Sequence, residues 1–134
     1  MSDSATTLAP GDTFHLSRGP VTTTQLVMYA GASGDFNRIH FDHPFAIDVG
    51  LGGVLAHGML TMGYAASCLT SMLGRREVRE LRARFLAPVH VGDTVESTST
   101  VRETLADGSV AVELEARVGT TVVLRGQAVA REAS

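Results

Sequence analysis

The sequence predicts a single α+β domain, residues 1–134, in which an antiparallel sheet of about five strands wraps around one long central helix. Three observations carry that prediction. An uncharged segment, residues 56–73, is apolar or small on every side, as a helix enclosed by protein would be. Beyond Gly74 the hydrophobic period changes from about 3.6 to about 2. The pairs Asp107-Gly108 and Gly119-Thr120 then punctuate the alternating stretches, as tight antiparallel turns do.

Taken in order, residues 1–10 read as a flexible tail with no basic start and no apolar run, so neither a secretory signal nor a transit peptide is expected. Residues 13–17 form a first short strand, ended by Gly19-Pro20. Thr22 with Gln25 fits a capping box and Val21 with Leu26 a hydrophobic staple, so a helix starts there. It runs to about Ala30 and is stopped by Gly31 or Gly34. Asp42-His43-Pro44 opens a second, short helix, capped by Asp42 or His43 and ending near Gly50. Residues 50–53 are a flexible approach to the uncharged segment, where Gly63, Ala65 and Ala66 are small enough to let a curved sheet come close. A membrane span is the competing reading, opposed by the short length and by Gly58, Thr61, Ser67, Thr70 and Ser71. In the second half, Leu81, Ala83 and Phe85 alternate with Arg82 and Arg84, and Val110, Val112, Leu114, Ala116 and Val118 alternate with Ala111, Glu113, Glu115 and Arg117. Each such strand has one buried and one wet face. Residues 93–103 and 121–131 complete the sheet.

Composition narrows the function. A formal net charge of -3 gives no electrostatic reason to expect nucleic acid, although all eleven basic residues are Arg and could cluster. The one cysteine, Cys68, excludes an intrachain disulfide and lies in the apolar segment, so a buried thiol and a reducing cytoplasm are expected.

The chemistry concentrates in Ser33-Gly34-Asp35-Phe36-Asn37-Arg38-Ile39-His40. Five helical steps of about 100° would set Asp35 and His40 about 140° apart, so the two side chains can meet only on a loop. Gly34 and Asn37 tolerate the turned backbone that a loop needs. A carboxylate and an imidazole around one water form a proton-transfer pair.

Three blocks together resemble the MaoC-like (R)-specific enoyl-thioester hydratases and dehydratases. They are Tyr29-Ala30-Gly31-Ala32-Ser33-Gly34-Asp35-Phe36-Asn37-Arg38-Ile39-His40, Ala56-His57-Gly58-Met59-Leu60-Thr61 and Phe85-Leu86-Ala87-Pro88-Val89-His90-Val91-Gly92-Asp93. The resemblance spans nearly the whole chain and is nearest to the small catalytic subunits of bacterial (3R)-hydroxyacyl-thioester dehydratases. It implies the hotdog fold, a dimer or a heterodimer with another hotdog subunit, no cofactor, and a thioester substrate carried by coenzyme A or acyl carrier protein. Asp35 and His40 match the family's catalytic dyad, which adds water reversibly to trans-2-enoyl thioesters to give (3R)-3-hydroxyacyl thioesters. The backbone N–H of Gly58 matches the donor to the thioester carbonyl, and a helix start suits a developing oxyanion. Asn37 and His57 brace the loop or bind substrate, and Ala66 and Leu69 shape the acyl pocket. Where the family often has proline after the motif asparagine, this chain has Arg38, which is either a solvated arginine or a contact for a phosphate.

Other readings weigh less. Asp35, His40, Asp42, His43 and His57 include metal-ligand types, but none shows the paired spacing of a helical zinc motif, so no metal is expected. Residues 50–53 do not satisfy a dinucleotide fingerprint. Arg75, Arg76, Arg79, Arg82 and Arg84 form either a solvated edge or a contact for phosphates or an acidic carrier. A thioesterase on the same scaffold and a non-catalytic acyl-binding subunit are the alternative functions.

Overall fold

A computed structural model describes residues 7–132. Strand β1 (Thr13–Arg18) leads into helix α1 (Thr23–Ser33), a 3₁₀ turn (Arg38–His40), helix α2 (His43–Asp48) and helix α3 (Gly58–Leu73). Strands β2 (Glu77–Phe85), β3 (Val95–Thr104), β4 (Val110–Val118) and β5 (Thr121–Arg131) follow. They form one antiparallel sheet in the order β1-β3-β4-β5-β2.

Local chemistry explains the elements. The Thr22 hydroxyl accepts from Gln25 N–H at 3.1 Å, while Val21 and Leu26 are both buried, so the predicted N-cap and staple form; the Gln25 side chain donates to the Tyr64 hydroxyl and does not close the capping box. Gly34, at φ +79°, ends α1 by donating to Ala30, one turn beyond the expected last residue. Asp42 caps α2 through Phe45 N–H. Val112 and Leu114 turn inward and pack with Leu69 and Leu73 of α3 in one apolar cluster, and Ala116 and Leu124 pack with Tyr64 and Ala65 of α3 in a second. A bulge opposite Ala116 and Arg117 turns both Val123 and Leu124 inward, adding curl to the sheet around the helix. Where β5 meets β2, a Cβ on Gly126 would stand 2.5 Å from the Arg82 carbonyl oxygen, so only glycine permits this approach.

Three expectations change. Phe85 is not on a buried face: it is 49% exposed, at the end of β2, an edge strand of the sheet. Helix α3 is not enclosed on every side, since Met59 is 58% exposed and a Cβ placed on Gly63 would meet no described atom within 4 Å. Ala65, not Gly63, meets the sheet side of the core. Part of the expected tail lies outside the described residues; within them, Leu8 packs against the core and Ala9 N–H bonds Asp12 at 2.9 Å, so these two are tied down. Among the described residues, no helix is long and apolar enough to cross a membrane.

Candidate active site

The site is built on the segment between α1 and α3. Gly34 turns the chain out of α1, and the Ser33 hydroxyl accepts from Asp35 N–H at 3.1 Å, fixing the first residue of the loop. The Asp35 carboxylate accepts Asn37 N–H through Oδ1 at 3.2 Å, which aims the other oxygen. Asn37 caps the 3₁₀ turn, its Oδ1 accepting Ile39 N–H at 3.1 Å. That turn delivers His40, whose Nδ1 lies 2.8 Å from the Leu55 carbonyl oxygen. A carbonyl only accepts, so Nδ1 carries the proton and Nε2 presents its lone pair. Asp35 Oδ2 and His40 Nε2 face each other 3.7 Å apart, beyond a good direct hydrogen bond. Such a gap suits two groups that share one water. The histidine side chain is 8% exposed and the aspartate 52%, so the pair stands between interior and solvent.

The second sequence block comes up beneath it. His57, the residue before α3, is 1% exposed and its Nε2 lies 3.2 Å from the Asp35 carbonyl oxygen. Its ring stacks on His40 with centroids 3.8 Å apart and an 18° tilt, while Tyr29 of α1 stands 4.7 Å away. Its Nδ1 is buried with no hydrogen-bond partner among the described residues. Burial holds the His57 pKa below the ordinary histidine value, with the Asp35 carbonyl bond opposing. Next to it, Gly58 opens α3 in the first turn, where N–H groups have no partner within the helix. A Cβ on Gly58 would meet the Phe85 ring at 3.4 Å, so the third block also reaches this helix start. Leu55 N–H donates to Ile39 and Ala56 N–H to Val89, joining all three blocks through main-chain bonds.

The remaining predicted residues lie elsewhere. Ala66 is half-buried on α3, and Leu69 is fully buried in an apolar cluster with Val101, Val112 and Leu114. Arg38 is not simply solvated: Nε and Nη2 both donate to Asp42 Oδ2, at 3.1 and 2.9 Å, and the guanidinium covers the Phe45 ring at 4.1 Å. Arg76, Arg79 and Arg82 pair with Glu132, Glu77 and Glu80, which divides the expected basic edge into ion pairs. Asp35, His40 and His57 hold ligand atoms within 4.8 Å of one another. Clefts of about 360 and 400 Å³ lie on the sheet, the first lined by Arg82, Arg84 and Arg125 and the second by Glu80 and Arg102; no dyad residue lines either. Sequence reasoning missed Leu55, which acts through its main chain and carries no side-chain signature, and it gave Ser33 no role of its own.

The sequence profile of the MaoC like domain matches residues 5–124. The chain belongs to the MaoC-like dehydratase family. Among relatives of this MaoC-like chain, the 3-hydroxybutyryl-CoA dehydratase of Methylorubrum extorquens is 32% identical, over 83% of this chain and 73% of its own. The (R)-specific enoyl-CoA hydratase of Rhodospirillum rubrum is 30% identical, over 81% and 77%. The solved (R)-hydratase from A. caviae involved in PHA biosynthesis superposes with a TM-score of 0.88 at 26% identity, covering 96% of this MaoC-like chain and all of that one. The five-stranded sheet around α3 is thus the hotdog architecture of these enzymes.

Proposed function

We propose that the protein catalyses the reversible hydration of trans-2-enoyl thioesters to (3R)-3-hydroxyacyl thioesters, with Asp35 and His40 as the catalytic pair. The observation that carries this reading is the 3.7 Å gap between Asp35 Oδ2 and His40 Nε2, each aimed by a bond at its other polar atom. A water in that gap loses a proton as its oxygen attacks the β-carbon, and the α-carbon gains one as the enolate collapses. Gly58 N–H is the donor to the thioester oxygen, where negative charge accumulates. Asn37 and His57 brace the loop. Ala66 shapes the acyl pocket from α3, and Leu69 supports that helix from within the core. The carrier is coenzyme A or acyl carrier protein, and no metal or organic cofactor is needed for this proton chemistry.

A second hotdog subunit, either another copy or a different chain, completes the site. Exposed Val27 and Met28 of α1, Phe36 and Phe41 beside the 3₁₀ turn, Met59 of α3 and Phe85 of β2 support this, since they leave large apolar side chains open to solvent.

The test follows the enoyl absorbance of crotonyl-CoA and longer trans-2-enoyl-CoA thioesters, with the product resolved by chirality. Wild type yields the (3R) product, while folded Asp35→Asn and His40→Gln each lose on the order of a hundredfold to ten-thousandfold in kcat. Release of free thiol instead would establish a thioesterase. Silence toward both carriers, alone and with candidate partners, would leave only an acyl-binding subunit.

A further inference from the structure

Two imidazoles lie face to face in this site, yet their surroundings treat a second proton in opposite ways. Nδ1–H of His40 is bonded to the Leu55 carbonyl, and a proton added at Nε2 would face the Asp35 carboxylate. A charged His40 therefore has an acceptor at Nδ1 and a facing carboxylate 3.7 Å from Nε2. His57 differs. The Asp35 carbonyl requires the proton of His57 to sit on Nε2, so Nδ1 is the bare nitrogen, and it is buried with no partner among the described residues. Protonation there would create a buried donor without an acceptor, and a cation stacked 3.8 Å from the His40 ring. A buried donor left without an acceptor is costly, and more so when it is charged.

We propose that His57 is a positioning residue that decides where the site's mobile imidazole proton resides. Locked as the neutral Nε2–H tautomer, it leaves Nε2 of His40 as the one imidazole nitrogen in the stack that gains and loses a proton. The titratable groups facing His57 are Tyr29 from α1, Asp35 from the loop and His40 from the 3₁₀ turn. Only Asp35 favours a charged His57; burial and His40 oppose it. The same ring also fixes both catalytic partners, Asp35 through its carbonyl and His40 through its face. Its kinetic consequence rests on the hydratase reading above, whereas its tautomer does not.

The first experiment is therefore a ¹H–¹⁵N imidazole correlation spectrum of the full chain between about pH 5 and 8, the range in which histidine titrates. The five histidines are assigned by substitution. His57 keeps the neutral Nε2–H pattern throughout, and any proton that the stacked pair takes up appears at Nε2 of His40. A proton taken up by His57 in that range, or an Nδ1–H pattern, overturns the proposal. In the kinetic arm, His57→Phe retains a ring between Tyr29 and His40 but deletes the bond to Asp35. Its kcat falls on the order of tenfold to a hundredfold with KM nearly unchanged, as expected for misplaced catalytic groups. His57→Gln, which returns an N–H donor, recovers part of the loss. An unchanged kcat in folded His57→Phe would reduce His57 to packing. If wild type fails to hydrate any enoyl thioester, the hydratase reading falls, and the spectra still decide the state of His57.

Discussion

The sheet and the dyad segment are held by different kinds of interaction. In β3, β4 and β5 each inward side chain shares its burial with many neighbours, as Leu114 does with Leu69, Leu73 and Val112, and the ladder repeats the same bond along each strand. Between Gly34 and Gly58 almost every functional atom is aimed by a single directional bond. Leu55 holds His40, Asn37 holds Asp35, and Asp35 in turn holds His57. The difference teaches that stability and rate are separable here: core changes should lower the unfolding free energy at constant kcat, and loop changes should do the reverse.

The helix start at Gly58 tests the loop side most severely. Proline is tolerated at a first helical position, and His57 already has the extended backbone, φ -60° and ψ 136°, that a residue before proline requires. Gly58→Pro therefore deletes the proposed oxyanion donor and little else. A loss of roughly a hundredfold to a thousandfold in kcat is expected. Gly58→Ala is the control, because it brings the same Cβ toward Phe85 and keeps the N–H. Equal losses in the two variants would assign the effect to crowding against Phe85 and not to the donor.

Leu114→Ala examines the other side. Leu114 is 1% exposed at the centre of β4, and truncation should remove about 2–5 kcal/mol of stability by urea unfolding. Measured at a temperature where the variant is folded, its kcat should match wild type. A parallel fall in kcat would mean that the core and the loop are mechanically coupled, and the comparison would fail.

These two regions were also unequally legible in the sequence. The sheet could be read because alternation is a property of side chains, and Val110 to Val118 display it without interruption. The helix starts could be read from Thr22 and Asp42, whose side chains accept N–H groups of the first turn. Phe85 misled because an edge strand obeys the same alternation without a second layer to cover it. In the site, Asp35, Asn37 and His40 were nameable from their residue types, but what aims them was not. The Leu55 carbonyl, the Asp35 carbonyl and the bare nitrogen of His57 belong to folded geometry and leave no mark on residue identity.

A smaller effect is expected where the loop meets α2. Arg38 ties the 3₁₀ turn to Asp42, and Asp42 caps α2, so one carboxylate joins the His40 turn to the next helix. The guanidinium is 58% exposed, which limits such a pair to about 0–1 kcal/mol. Arg38→Ala should therefore lower kcat by at most about fivefold, and added salt should move wild type toward the variant. Arg38→Pro is the sharper variant. Asn37, at φ -60° and ψ 131°, suits a following proline, and the position opens the 3₁₀ turn. If Arg38 serves rigidity, proline restores kcat; if it serves a substrate phosphate, proline raises KM for coenzyme A thioesters as alanine does.

The smallest effect is in acid. Phe45 N–H, then the Arg38 side chain, hold the Asp42 pKa below its ordinary value of 3.8. A carboxylate whose pKa is lower in the folded chain adds stability above its unfolded pKa and loses it as the pH falls through the folded value. The α2 cap should thus be intact at pH 5 and weaken only below about pH 4, where unfolded aspartate titrates. Backbone amide shifts of residues 43–48 followed down this range should move together in wild type. In Asp42→Asn, which caps without titrating, they should stay still. Movement at pH 6 instead would trace α2 to a histidine, with His43 the nearest candidate in the chain.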